Sequence, residues 1–390
     1  MAMQFMDMID LDEVLDLTRK LIAFRTVNPP GDEEPAVRFL GWYLAERGIG
    51  VEYQQVEPNR ANLIARLPGR GESGHLILSG HMDVVPPGDT SWRHDPFDAV
   101  REGDRLVGRG AADMKGGVAA MAVAFLTLAR EGFEPRGDLI LAVSAGEERG
   151  GAPGAHLMVS SGILAGAANL IVGEPTGLDI CTGQKGVVRW QITAFGRAAH
   201  SSTSHLGTSA IAYMARLVPL LESNPFPFEP SALLGAPTIS VTTIEGGHAF
   251  NVIPDRCGIT ALGRLVPGQS IEALSPMLEQ LLERVAVESG LAVRTEVETM
   301  GLSALETPRD CPLVEAASEA VAEATGHTPA ILGFTGATEA AVLAPPLGAS
   351  MVIVGPGTLE QAHRTDEYVE IPQLGAAARA YIGIIERILG

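Results

Sequence analysis

Hydrophobic positions follow one pattern in the first and last parts of the chain. Short, continuous apolar runs alternate there with stretches in which apolar residues recur every three or four positions, the spacing of an amphipathic helix. The runs are residues 62–67, 76–79, 139–144, 170–172 and 350–354, and the helical stretches are 10–24, 34–48, 116–130, 311–325 and a last one from Pro372. Strands that are apolar on both faces belong to sheets covered by helices, so this pattern predicts an α/β domain with a mostly parallel sheet.

The middle of the chain has a different pattern. Apolar and polar residues alternate in 187–195 and 293–299, two further strands are predicted at 237–244 and 257–265, and helical periodicity occupies 208–222 and 270–289. This β-α-β-β-α-β order is typical of a ferredoxin-like α+β unit. The sequence therefore predicts one larger domain in two parts, residues 1–182 and 302–390, with a second domain inserted at residues 183–301.

The composition describes a globular protein and removes several classes of partner. Of the 390 residues, 46% are hydrophobic and 19% are charged, and the formal net charge is -19. Such a charge repels phosphates, so we expect no nucleic-acid partner. No apolar run approaches the roughly 18 residues of a membrane span, so we expect no membrane partner. The three cysteines, Cys181, Cys257 and Cys311, lie far apart without paired spacing, which favours reduced thiols and a cytoplasmic protein. The acidic stretch at residues 1–12 has no basic region of the kind that begins a signal peptide.

The first candidate metal ligand comes just after the apolar run 76–79. His81 and Asp83 stand there in the order His-x-Asp, and side chains two apart on a strand point to the same side. One imidazole nitrogen can bind a metal ion while a carboxylate holds the other N–H group. The same pattern also suits a histidine that is only hydrogen-bonded, so the other strand ends must decide between the two interpretations.

A glycine-rich segment, residues 108–117, carries Asp113 at the start of a helical stretch. The segment lacks the Gly-x-x-x-x-Gly-Lys-Ser/Thr order of a phosphate-binding loop. Asp113 could bridge two cations from this turn, and it could equally be a helix cap, a role that aspartate fills well.

Further carboxylates and a second histidine follow the other apolar runs. Glu147 and Glu148 come after the third run, Glu174 after the fourth and His363 after the fifth. Adjacent glutamates are commonly a solvated loop, but these leave an interior strand, where a charge needs a partner. One of them could bind metal while the other acts as a general base on water. Nitrogen and oxygen ligands without cysteine favour zinc, with cobalt or manganese as substitutes, and a bridging carboxylate would hold two ions about 3.5–4 Å apart.

Five motifs, taken in order, resemble those of a known family. They are SGHMDVVP, GRGAADMKGG, SAGEE, GEPT and GPGTLEQAHRTDEY. They are similar to the motifs of the acetylornithine deacetylase, succinyl-diaminopimelate desuccinylase and aminoacylase family of dinuclear zinc amidohydrolases, and the likeness covers nearly the whole chain. The resemblance implies a zinc-exopeptidase-like catalytic domain, an inserted lid and dimerisation domain, and a homodimer.

The resemblance also implies a role for each matching residue. His81 and Glu174 would bind one zinc ion, Glu148 and His363 would bind the other, and Asp113 would bridge them, while Asp83 orients His81 and Glu147 is the general base. In the inserted domain, His200 would reach the active site of the partner subunit and stabilise the oxyanion, and Asn251 would contact the substrate. Arg264 would bind a substrate carboxylate through its guanidinium fork, and its alternative is a surface salt bridge.

Within the resembled family, the segment 337–340 bears on the substrate. Its Ala-Thr-Glu-Ala order resembles acetylornithine deacetylases, whereas desuccinylases typically carry Ser-Asp there, and Glu339 could pair with a substrate ammonium group. The segment 361–363 also resembles the deacetylase version. Residues 246–250 depart from it, because they lack the acidic residue that is common after those glycines.

The expected activity is removal of the acyl group from a small N-acyl-L-amino acid by attack of a zinc-bound hydroxide. N-acetylornithine or a close relative is the leading substrate. The alternatives are succinyl-diaminopimelate or another acylated amino acid, and a dipeptidase or carboxypeptidase reaction of the same family. An inactive binding protein on this scaffold is the alternative from a different class. Such a protein would lack the base or a ligand, and the sequence retains all of them.

Overall fold

The structure is a computed structural model that describes residues 5–150 and 152–390. Residues 1–4, which belong to the acidic N-terminal stretch, lie outside the described residues. Its helices and strands, in chain order, are α1 (Leu11–Ile22), α2 (Glu34–Ala45), β1 (Gly50–Glu57), β2 (Arg60–Leu67), β3 (His75–His81), β4 (Val100–Glu102), β5 (Arg105–Val107), α3 (Lys115–Arg130), β6 (Leu139–Ser144), α4 (Pro153–Ser160), β7 (Ala167–Val172), β8 (Ile180–Gln184), β9 (Gly186–Phe195), α5 (Ala210–Glu222), β10 (Thr238–Gly246), β11 (Arg256–Leu265), α6 (Ile271–Ser289), β12 (Arg294–Leu302), β13 (Leu305–Glu306), α7 (Pro312–Thr325), β14 (Ile331–Phe334), α8 (Ala340–Leu347), β15 (Ser350–Ile353), β16 (Tyr368–Glu370) and α9 (Ile371–Leu389). Short 3-10 helices occur at Met6–Met8 and Ser201–Leu206.

The chain divides into two compact units. The large unit comprises the described residues up to Gly183 together with Glu306–Phe334 and Thr338–Gly390. The small unit comprises Gln184–Leu305 and Thr335–Ala337. The sequence places the corresponding boundaries after residues 182 and 301.

The large unit is built on a mixed sheet whose centre is parallel. Its strand order is β1-β2-β6-β3-β7-β15-β8-β13, with β14 beside β8. The central strands β6, β3, β7 and β15 run parallel to one another. Antiparallel pairing begins at β2 on one side and at β8 on the other. The predicted α/β class is confirmed, and the carboxyl ends of the central strands lie along one edge of the sheet.

Helix α3 lies in the core of the large unit. It contacts α1 and α9 as well as strands β3 and β6, and every residue from Lys115 to Leu128 is buried. A helix covered on all sides needs apolar or small residues around its whole circumference, which the alanine-rich sequence of α3 supplies. The start of this helix is therefore fixed firmly against the sheet edge that carries the candidate site.

The small unit has the predicted ferredoxin-like order. Its sheet is antiparallel with strand order β10-β11-β9-β12, and α5 and α6 pack with it around a separate core. Alternation along β9 buries Val188, Trp190, Ile192 and Ala194, as expected for a strand with one face in a core. Among the described residues of both units, none of the helices is both long and apolar enough to cross a membrane.

Candidate metal centre

The candidate ligands of the large unit converge at one edge of its sheet. Strand β3 ends at His81, the loops after β6, β7 and β15 carry the candidate glutamates and His363, and Asp113 lies just before α3. Because these four strands are parallel neighbours, their following segments meet in space. Gly117, in the first turn of α3, makes close approach possible there, since a Cβ atom at this position would collide with the carbonyl oxygen of Gly173.

Two groups of ligand atoms share one carboxylate. In the first group, His81 Nε2 lies 3.2 Å from Asp113 Oδ1 and 3.5 Å from Glu174 Oε1. In the second group, His363 Nε2 lies 3.1 Å from Asp113 Oδ2 and 3.1 Å from Glu148 Oε1. Each oxygen of Asp113 thus faces a different histidine, which is the geometry required of a carboxylate that bridges two cations.

The buried carboxylates of this cluster are stabilised by positive charge on the groups beside them. Burial raises the pKa of Glu174, and the neighbouring Asp113 raises it further, to about 8. Burial also opposes ionisation of Asp113, but hydrogen bonds with His363 and His81 hold its pKa well below the usual range. Hydrogen bonds to Asp113 and Glu148 raise the pKa of His363 to about 10. Protons on the histidines therefore stabilise the carboxylates here, as divalent cations on the same nitrogen and oxygen atoms would.

A third carboxylate group adjoins the first. Oxygen atoms of Glu147, Glu174 and Glu339 lie within 4.8 Å of one another. Glu339 is fully buried, and its Oε1 accepts a 2.8 Å hydrogen bond from the hydroxyl of Ser79. Its Oε2 is buried with no hydrogen-bond partner among the described residues. A buried oxygen of this kind, beside two more carboxylates, fits a site that binds cations.

Asp83 makes further contacts besides the one to His81 that the sequence predicts. The backbone carbonyl oxygen of Asp83 lies 2.9 Å from His81 Nδ1, whereas the nearest carboxylate oxygen lies 3.6 Å away. The buried carboxylate also accepts hydrogen bonds from Asn28 Nδ2 at 2.7 Å and from the backbone N–H groups of three consecutive residues, Gly146, Glu147 and Glu148, at 3.0–3.1 Å. Asp83 therefore holds the loop that carries both glutamates, and its carbonyl oxygen holds the histidine ring.

The candidate residues of the small unit lie near opposite ends of strand β11. His200 is exposed, and its segment pairs with the segment of Asn251: His200 bridges Val252, and the N–H of Ser201 donates to the Asn251 carbonyl oxygen at 2.9 Å. This pair lies beyond the Arg256 end of β11, where Arg256 pairs with Phe195. Arg264 lies near the other end of β11, eight residues on, which is about 27 Å at about 3.4 Å per residue.

Two buried residues of the site are missed by sequence reasoning. Glu367 and Arg109 form an ion pair directly behind the Asp113 loop, and each is only 1% exposed. Both belong to the motifs quoted above, but their neighbours in the sequence give no sign of burial or of pairing. Glu367 lies four positions after His363, and this proximity to a candidate ligand is the available signal.

Comparison with known proteins decides the family. The profile that describes Peptidase family M20/M25/M40 matches residues 77–387. The chain belongs to this family. As an M20 protein it is a metal-dependent amidohydrolase, a hydrolase of amide bonds, and the recognition made from the five motifs is confirmed.

Two M20 relatives match almost the whole chain. Succinyl-diaminopimelate desuccinylase of Alkalilimnicola ehrlichii is 31% identical over 397 residues, which is 97% of this chain and 100% of that protein. Acetylornithine deacetylase of Edwardsiella ictaluri is 30% identical over 370 residues, which is 92% of this chain and 93% of that protein. The sequences of the desuccinylase and of the deacetylase are thus almost equally similar to this M20 chain.

A solved structure agrees with the fold. A tripeptidase from Staphylococcus aureus superposes with a TM-score of 0.79 at 21% sequence identity, covering 98% of this chain and 99% of the other. At that level of identity the likeness concerns the fold of the M20 chain alone.

Proposed function

We propose that this M20 enzyme removes the acyl group from N-acyl-L-amino acids, with N-acetylornithine or a close relative as the leading substrate. The observation that carries the proposal is the bridging geometry of Asp113, with Glu147 in the adjoining group of carboxylates. The Thr338-Glu339-Ala340 segment supports a deacetylase. Desuccinylation of succinyl-diaminopimelate is the second candidate, supported by the 31% identity to the Alkalilimnicola ehrlichii desuccinylase.

The proposed cofactor is a pair of divalent cations, zinc in the first instance and cobalt or manganese as substitutes. His81 and Glu174 would hold one ion, Glu148 and His363 the other, and Asp113 both. These nitrogen and oxygen donors, without sulfur, suit zinc. When bound, the ions supply Lewis acidity to the amide carbonyl and lower the pKa of water.

Glu147 is the proposed proton carrier. Its neighbour Glu148 faces His363, whereas Glu147 lies with Glu174 and Glu339 in the adjoining group. Its carboxylate accepts a proton from the attacking water and then donates it to the nitrogen of the leaving amine. The hydrogen bonds from the loop to Asp83 keep Glu147 in place during both transfers.

The contacts to the rest of the substrate are proposed to come from two chains. A small acyl amino acid cannot touch both Arg264 and the His200–Asn251 pair of one chain, because β11 separates them by about 27 Å. A homodimer removes this conflict. His200 of one chain would then donate a hydrogen bond to the oxyanion in the site of its partner, beside Asn251, and Arg264 of the other chain would bind the substrate carboxylate.

A substrate panel tests the proposal. Metal-free protein would be supplied with Zn²⁺ or Co²⁺ and assayed with N-acetyl, N-succinyl and N-formyl amino acids and with dipeptides. We expect the highest kcat/KM for an N-acetylated diamino acid. Higher kcat/KM for succinyl-diaminopimelate would establish the second candidate, and preference for dipeptides would replace both. Hydrolysis of no compound by metal-loaded protein would contradict an amidohydrolase of this kind.

A further inference from the structure

A buried carboxylate lies directly behind the loop that carries Asp113. The Oε1 atom of Glu367 accepts hydrogen bonds from the backbone N–H groups of Gly110, Ala112 and Asp113 at 3.0, 3.0 and 3.1 Å. The backbone carbonyl oxygen of Glu367 accepts a fourth, from the N–H of Gly108, at 2.8 Å. Glu367 therefore satisfies most of the backbone donors of this turn.

Such a nest of N–H groups around one oxygen fixes the backbone of the loop. Hydrogen bonds to an ionised carboxylate are stronger than neutral ones, and buried N–H groups without an acceptor are costly. Asp113 supplies one of the three N–H groups itself. The backbone at Asp113, and with it the direction of its side chain, is thus set by Glu367.

The other oxygen of Glu367 connects the Asp113 loop to the segment after β3. Glu367 Oε2 pairs with Nη1 of Arg109, and Nη2 of Arg109 donates to the carbonyl oxygen of Pro86 at 3.2 Å. The guanidinium also lies over the ring of Trp92, 5.2 Å from its centroid. Through this pair, Glu367 contacts segments that follow His81 and precede Asp113.

The chain position of Glu367 adds a third connection. It lies four residues after His363, whose Nε2 faces Asp113 Oδ2. The same short segment therefore brings the histidine to one oxygen of Asp113 and fixes the backbone that aims the other oxygen at His81. A small rotation of the Asp113 backbone would disturb both alignments together.

We propose that Glu367 is a positioning residue that holds Asp113 in its bridging orientation, so that two divalent cations can bind at the same time. This inference rests on the proposed function, because it requires a dinuclear centre. The simpler alternative is that Glu367 only neutralises the buried charge of Arg109, in which case it would affect stability and leave cation binding unchanged.

Glu367→Gln tests the proposal with nearly no change in volume. Glutamine can direct its oxygen at the three N–H groups or at Arg109, and in either case its NH2 group faces donors that the carboxylate satisfies. The matched control is Glu370→Gln, which removes a carboxylate from the same segment, where Glu370 pairs with Arg105 on the surface. Metal-free proteins would be titrated with Co²⁺, monitored by calorimetry and by the visible absorption of cobalt.

The expected result is two bound Co²⁺ ions per chain in the unchanged protein and in Glu370→Gln. In Glu367→Gln one ion should bind nearly as before, and the second should bind about ten-fold to a hundred-fold more weakly, the usual effect of losing a group that orients a ligand. The absorption change that accompanies the second equivalent should shift to correspondingly higher Co²⁺ concentration. Equal binding of both ions in Glu367→Gln and Glu370→Gln would overturn the proposal.

Two further measurements separate the remaining cases. The melting temperature of each metal-free protein reports stability alone, so a lowered value with unchanged Co²⁺ binding would support the simpler alternative and overturn the proposal. Glu367→Asp replaces Glu367→Gln if the latter does not fold: its shorter carboxylate keeps the charge but reaches the N–H groups poorly, and the same defect in the second ion is expected. Failure of the unchanged protein to bind Co²⁺ would instead contradict the proposed function.

Discussion

The candidate residues of the large unit converge, whereas those of the small unit do not. At the sheet edge, His81, Asp113 and Glu174 are buried, and His81 Nε2 lies 3.2 Å from Asp113 and 3.5 Å from Glu174. In the small unit, His200 and Asn251 are exposed, and Arg264 lies near the far end of a ten-residue strand. The difference teaches that the two sets suit different work: the first can hold cations within one chain, whereas the second could gather around one small substrate only in the proposed homodimer.

The largest effect is expected for Asp113→Ala, which removes the carboxylate shared by the two groups of candidate ligands in the large unit. Because each oxygen of Asp113 faces a different histidine, both cation positions lose a ligand at once. We expect metal content to fall from about two ions per chain to almost none and hydrolysis to fall to background, as measured by elemental analysis and by assay. Asp16→Ala, on the exposed face of α1, is the control. Full metal occupancy in Asp113→Ala would end the bridging assignment.

The next largest effect is expected for Glu147→Gln. Both metals should remain, because Glu148 is the proposed ligand, but kcat should fall by about a hundred-fold to ten-thousand-fold with the loss of the proton carrier. The neighbouring Glu148→Gln should do the reverse, losing metal first and recovering some activity when Zn²⁺ is added. If Glu147→Gln instead loses metal and recovers activity when Zn²⁺ is added, the roles assigned to Glu147 and Glu148 must be exchanged.

The candidate residues of the small unit are tested by His200→Ala. Loss of one oxyanion donor should lower kcat by about a hundred-fold to a thousand-fold. His205→Ala, in the short 3-10 helix that His200 caps, is the control.

Mixing then distinguishes action in the partner's site from action in the chain's own site. Chains carrying His200→Ala and Glu147→Gln, co-expressed or refolded together, should form dimers in which one site has both groups, with turnover approaching half that of an unchanged dimer. Verified mixed dimers without recovered turnover would rule out action across the subunits.

The smallest effect is expected for Glu339→Gln. If the buried Glu339 Oε2 attracts a substrate ammonium group, KM should rise for cationic substrates by about ten-fold to a hundred-fold, the equivalent of about 1–3 kcal/mol. Neutral acyl amino acids, measured on the same preparation, should show little change. An equal change for both kinds of substrate would mean that Glu339 supports Ser79 and the sheet edge rather than the substrate.

Many candidate residues of the large unit could be predicted because the apolar runs in the sequence show where the central strands end. The run that became β6 was located to the residue, 139–144, and the glutamates after it lie at the predicted edge. The short strands β4, β5 and β16 were missed, since three residues give too little periodicity to recognise.

Hydrogen-bond partners were harder to predict than positions. The sequence predicts the contact of Asp83 with the His81 ring, but it does not predict that the same carboxylate accepts from three N–H groups more than 60 residues away in sequence. Glu367 similarly meets N–H groups that lie more than 250 residues earlier. Which N–H groups such a carboxylate accepts from depends on which distant segment folds against it, and a local sequence pattern does not contain that information.

The placement of β15 between β7 and β8 has a consequence for how the protein is made. Those neighbours are complete by residue 184, yet the strand that joins them spans Ser350–Ile353. During synthesis, the first half of the large unit must wait for more than 160 further residues before its sheet can close. The elements of the small unit, which emerge in between as one continuous stretch, can pair with one another meanwhile. The order of emergence from the ribosome thus favours an early small unit and a late metal centre, with His363 the last ligand to arrive.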